Sequence, residues 1–107
     1  MGNRPLEVLG RASGEAVSGF QQLRKAVMND GPLDELTAEY VLVGALASTA
    51  DWDSLRTHVR RALKLGASAE QLQHAVFVTM GASATLNNVV SGLRVIEEEV
   101  APGDSQQ

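Results

Sequence analysis

Apolar residues recur at helical intervals in almost every stretch between the chain's Gly- and Pro-marked breaks. Val17, Phe20, Leu23 and Val27 fall on one face and predict a helix over residues 15–28. Asn29-Asp30-Gly31-Pro32 ends it, because Gly takes up turn conformations freely and Pro cannot continue a helix. Leu36, Tyr40, Val43 and Ala47 carry a second stripe over 34–48, which Leu33, Val41, Gly44 and Leu46 widen. A helix apolar on so much of its surface belongs in a core or at a subunit interface.

The segment 48–53 is a short turn rich in residues that cap helix N-termini. A third helix follows over 54–65, with Leu55, Val59, Ala62 and Leu63 inward and Gly66 as its stop. Ser68-Ala69-Glu70-Gln71 has the form of a capping box and opens a fourth helix reaching about Met80, whose buried face is Leu72, Ala75, Val76 and Thr79. Gly81-Ala82-Ser83-Ala84 marks a break or a close helix contact. The last helix spans 84–100, with Leu86, Val89, Val90, Leu93 and Ile96 buried. Residues 1–13 read as an irregular lead-in, Glu97-Glu98-Glu99 as a solvated end, and 101–107 as a disordered tail. The pattern predicts one all-α domain over 1–107, a small bundle of about five to six helices, with no internal repeat or linker.

Composition sharpens this picture in four ways. Aromatic residues are only 4% of the 107, so Leu, Val and Ala must build the core, with Trp52, Tyr40, Phe20 and Phe77 as its only rings. A net charge of −4 with nine scattered cations disfavours nucleic acid, which demands a basic footprint. No run approaches the roughly 20 apolar residues that span a bilayer, and the N-terminus has no signal-peptide pattern, so a soluble cytoplasmic protein is expected. The absence of Cys removes disulfides, thiolate metal sites and thiol redox chemistry together.

Candidate chemistry gathers between Glu39 and His58. Asp51, Ser54 and His58 are three and four residues apart, a spacing that aligns side chains on one helix face. A short turn between antiparallel helices can bring the Glu39 carboxylate opposite His58. Histidine, with a reference pKa of about 6.5, accepts and returns a proton near neutrality, so the pair is the minimum equipment for metal-free proton transfer. Asp51 and Asp53 also read as caps of the third helix, with capping the stronger reading for Asp53. Trp52 fits a pocket roof or an interface. Arg56, Arg60 and Lys64 form a solvated stripe that could hold a substrate carboxylate if it faced a pocket in an oligomer. His74 is expected to be exposed, and no zinc spacing is present.

The stretch resembles the alkylhydroperoxidase D-like motif of Glu, eleven residues, Cys, two residues, Cys, three residues, His. Here the same spacing reads Glu39, Asp51, Ser54 and His58, with both cysteines replaced. Gly31-Pro32-Leu33-Asp34, the run from His58 to Ser68 and Gly81-Ala82-Ser83-Ala84-Thr85-Leu86-Asn87 are also similar to the carboxymuconolactone decarboxylase-like superfamily, and the resemblance covers about Phe20 to Ile96. It implies an alkylhydroperoxidase D-like helical fold and a homo-oligomer, trimer or hexamer. Peroxidase chemistry needs the missing cysteines. The decarboxylase branch works without metal or organic cofactor, and its resemblance implies loss of carbon dioxide followed by protonation. This chain departs from that branch, which has histidine at the Asn87 position and no Glu at the position of Glu39. The resulting expectation is a cofactor-independent lyase or isomerase acting on a small organic acid or lactone. Glu39 and His58 would be catalytic, and Asp51, Trp52, Ser54 and Asn87 would bind substrate. A non-catalytic binding or assembly protein on the same scaffold is the alternative.

Overall fold

A computed structural model describes residues 4–105, and every regular element in them is a helix. The chain divides into two compact units, Met1–Leu33 and Asp34–Gln107, just after the Asn29-to-Pro32 break.

The first unit holds α1 (Pro5–Ala12) and α2 (Gly14–Asn29). The lead-in is therefore helical from Pro5 onward. Proline in the first turn has no N–H to leave unsatisfied and its φ is already helical. Glu7 in the first turn and Arg11 in the last complement the helix dipole. Ser13 separates the two helices in an extended conformation, and its Oγ accepts the Ala16 N–H at 3.1 Å as the cap of α2. Neither helix buries a residue, and Phe20, Leu23 and Val27 stay about half exposed in the single chain.

The second unit packs α3 (Glu35–Ser48) against α4 (Trp52–Lys64), α5 (Ala69–Phe77) and α6 (Leu86–Ser105), with α6 also against α4 and α5. Asp34 caps α3 by accepting the Thr37 N–H at 2.7 Å, and hydrogen bonding to the Thr37 side chain and then to its backbone holds the Asp34 carboxyl below the usual carboxylate range. The capping box of α5 forms as expected between Ser68 and Gln71. α5 stops at Phe77 rather than near Met80, because the Thr79 carbonyl takes the N–H groups of Ala82, Ser83 and Ala84 in a tight loop. Gly81, at φ +83°, makes that loop possible. α6 runs on to Ser105, through most of the segment expected to be a disordered tail. Val100 packs on the core near its end, and each further residue added to a formed helix needs no new nucleation. Residues 106 and 107 lie outside the described part.

Val43, Ala47, Leu55, Val59, Leu72, Val76 and Ile96 are fully shielded and form the core of this unit. Glycine sets its closest approach. A Cβ on Gly44 would stand 2.8 Å from the Ala75 carbonyl oxygen, and one on Gly92 would stand 3.1 Å from side-chain carbons of Ala47 and Val76.

One tie across the bundle was not expected. Arg60 and Arg56 both reach Glu99, and Arg56 also reaches Glu98 at 2.7 Å, so the acidic end of α6 is ion-paired and its Glu99 side chain only 11% exposed. The hydrogen bond from Arg60, aided by Arg56, holds the Glu99 carboxyl below its ordinary range against the opposing effect of burial. A carboxylate with a lowered folded-state value stabilises fully above its unfolded value of about 4.3, and that share is lost as the pH falls through the folded value. Glu99→Gln is therefore expected to cost about 1 kcal/mol at pH 7, and the difference from the parent should shrink toward nothing in denaturant titrations below pH 4.

Candidate functional site

The site depends on how α3 turns into α4. Thr49 closes α3 and Ala50 takes φ +59°, a left-handed conformation unusual for a residue with a side chain. That reversal lets the Asp51 N–H reach back to the Leu46 carbonyl at 2.9 Å, satisfying the helix end. Asp51 then caps the next helix, its Oδ1 accepting the Ser54 N–H at 3.4 Å. The cap is thus Asp51, not Asp53, which lies within the first turn and sits well against the positive end of the helix dipole. α4 consequently starts at Trp52, two residues earlier than its periodicity suggests.

This turn sets the two helices antiparallel and brings Glu39 to His58. Glu39 Oε1 lies 2.6 Å from His58 Nδ1, with the side chains 3% and 11% exposed. Among the described residues they are the two buried polar side chains of a core otherwise aliphatic. A carboxylate there accepts from Nδ1–H, which selects the imidazole tautomer whose Nε2 carries a lone pair. Among the described residues every buried side-chain nitrogen and oxygen has a hydrogen-bond partner. Nε2 of His58 and Oε2 of Glu39 make no bond to the described protein atoms, so both keep a narrow contact with solvent. The arrangement is an imidazole held at Nδ1 by a buried carboxylate, with Nε2 making no bond to the described protein atoms, a geometry suited to proton transfer at that nitrogen.

The other expected binding residues are placed less uniformly. Ser54 lies one turn before His58, half-buried, with its backbone on the Asp51 cap and its hydroxyl without a partner among the described residues. Trp52 is half-buried and packs on the core. Asp51 is exposed and occupied as a cap. Asn87 is exposed, and it is the neighbouring Asn88 that turns inward, donating Nδ2–H to the Ser48 carbonyl at 3.1 Å near the turn. His74 is exposed and stacks on Phe77.

Two features go beyond what periodicity and spacing predict. Arg56 and Arg60 are bound to α6 and so are not a free stripe for a substrate carboxylate. Tyr40, next to Glu39, donates its hydroxyl to Gln71 Oε1 at 2.6 Å, the same oxygen that completes the capping box of α5. Arg on one helix and Glu on another signal the first of these ties in outline. Which helix lies across from which is the part periodicity does not carry. Among the described residues no three His, Asp or Glu side chains cluster as metal ligands would, and no helix is long and apolar enough to cross a membrane.

An uncharacterized protein of Cupriavidus necator is 33% identical over 81 residues, covering 74% of this chain and 72% of the relative. No solved structure matches. The profile of the carboxymuconolactone decarboxylase family matches residues 14–98, which include the capped turn and both members of the Glu39–His58 pair. With four fifths of its length matched in this way, the chain belongs to the carboxymuconolactone decarboxylase family.

Proposed function

We propose that the protein is a cofactor-independent acid/base lyase, a decarboxylase or isomerase acting on a small organic acid or lactone in the cytoplasm. The observation that supports this most directly is the 2.6 Å bond between buried Glu39 and His58, with Nε2 of the imidazole left toward solvent. In a decarboxylation the substrate's C–C bond breaks, carbon dioxide leaves, and the electron pair stays on the former α-carbon. His58, protonated at Nε2 and steadied by Glu39, delivers a proton to that carbon. In an isomerisation the same nitrogen removes a proton from one carbon and returns it to another. Ser54, one turn before His58, and Trp52, at the start of the same helix, orient the substrate. Disulfide chemistry is excluded by the lack of cysteine.

The test is turnover of 4-carboxymuconolactone and related unsaturated lactones by the parent chain, Glu39→Gln and His58→Ala. Undiminished turnover in both variants would overturn the reading and leave a binding or assembly role on the same scaffold.

The active form is proposed to be a homo-oligomer, a trimer or hexamer. Val41, Phe77, Val78, Met80 and Leu86 of the second unit are 47 to 64% exposed, more apolar surface than a small domain ordinarily leaves in water. Light scattering at micromolar concentration should return a multiple of the 11.3 kDa chain mass; a monomer mass would refute it.

A further inference from the structure

Three facts about α4 locate the side from which a ligand reaches His58. Leu55, Val59 and Ala62 are fully shielded and define the buried arc. Arg56 and Arg60 lie beyond one end of that arc, held by Glu98 and Glu99 of α6. His58 stands at the opposite end, bonded to α3 through Glu39. At 3.6 residues per turn, Ser54 and Arg61 lie about 40° and 60° beyond His58, on the side away from α6. Ser54 is half-buried there and Arg61 exposed.

Side chains on a helix lean toward its N-terminus, over the preceding turn. The imidazole of His58 therefore leans over the Ser54 turn, and the guanidinium of Arg61 leans over the His58 turn. Glu35, one turn before Glu39 on α3, is exposed, and it forms no ion pair with Arg61. Arg61 is thus a cation with no carboxylate partner among the described residues, one turn from the exposed nitrogen of the pair. By the same helical spacing Leu42 and Leu46, half-buried on α3, lie about 60° and 20° beyond Glu39, on the side away from Gly44 and its contact with α5.

We propose that Arg61 is the specificity-determining residue of this site, anchoring the carboxylate of a substrate whose apolar body lies against Leu42 and Leu46. The inference rests on the proton-transfer reading of Glu39 and His58. It replaces Arg56 and Arg60, whose charges are already matched, as the source of the anchor. Guanidinium suits a planar carboxylate through paired N–H donors, which an ammonium cannot supply in the same geometry.

The probes are sorbate, a planar dienoic carboxylate, and its uncharged methyl ester. Binding is followed through the imidazole resonances of His58 in NMR titrations. Sorbate should shift these signals saturably and the ester should bind at least about 10-fold more weakly, the discrimination expected of one charge-assisted contact. Arg61→Gln should weaken sorbate by about 10-fold and leave the ester unchanged, with Arg61→Lys in between. Arg94→Gln, which removes the same charge from an exposed position on α6, should bind sorbate like the parent. Equal binding of acid and ester, equal binding by parent and Arg61→Gln, or no saturable shift at His58 would each overturn the anchor. The proton-transfer reading fails separately: if turnover survives His58→Ala while sorbate binding still depends on Arg61, the anchor stands and the catalytic role of the pair does not.

Discussion

Glu39→Gln is expected to lower turnover by about 100-fold or more while leaving the protein folded, because positioned acid/base groups contribute about 10²- to 10⁴-fold. The substitution keeps size and an oxygen that can still accept the Nδ1–H bond, so the imidazole stays in place. What it removes is the negative charge facing the imidazolium, in a site whose side chains are 3% and 11% exposed and poorly screened. His58→Ala removes the proton carrier itself and should fall at least as far. The two losses should not add: once the imidazole is gone, the carboxylate has nothing to steady, so the double variant should match His58→Ala alone. An additive double variant would mean that Glu39 acts on the substrate directly. Circular dichroism and thermal melts on each variant separate these effects from unfolding, since either change also disturbs a buried pair and carries a stability cost.

The pairing of Glu39 with His58 is legible in the amino-acid sequence, and for a physical reason. Both residues sit on strongly periodic segments, and the few residues between those segments leave only an antiparallel return. The capping box at Ser68 and Gln71 and the stop at Gly66 are legible on the same terms, since each is a local event completed within a few residues. The helix from Pro5 to Ala12 is not, because eight residues provide barely two turns, too few for the interval between Leu6 and Leu9 to recur as a stripe. The cap at Asp51 is ambiguous with Asp53 nearby, and the left-handed Ala50 that decides it carries no sequence signal of its own, as glycine would have. The Arg60–Glu99 and Tyr40–Gln71 ties join residues 39 and 31 positions apart. Their partners are chosen by the packing of whole helices, and periodicity shows only that a face is polar.

Gly44 is where packing tolerance is smallest, and Gly44→Val is expected to destabilise the second unit by about 3 kcal/mol or more. The ideal Cβ at this position would lie 2.8 Å from the Ala75 carbonyl oxygen and 3.3 Å from the Thr79 Cγ2. The first of these is backbone inside α5 and cannot rotate away as a side chain could. Even Gly44→Ala must therefore push α3 and α5 apart, and the helix propensity gained, about 1 kcal/mol, works against a larger packing loss. The contrast is Gly19 on α2, where an added Cβ meets nothing within 4 Å, so Gly19→Ala should stabilise by a fraction of that propensity difference. Denaturant titrations of the three variants would display the order Gly19→Ala above parent, then Gly44→Ala, then Gly44→Val. Parent-like stability in Gly44→Val would mean that α3 and α5 do not approach as closely as the glycine allows. Because α3 also carries Glu39, a displaced α3 should loosen the bond to His58, so Gly44→Ala is expected to lose turnover even at temperatures where it remains folded.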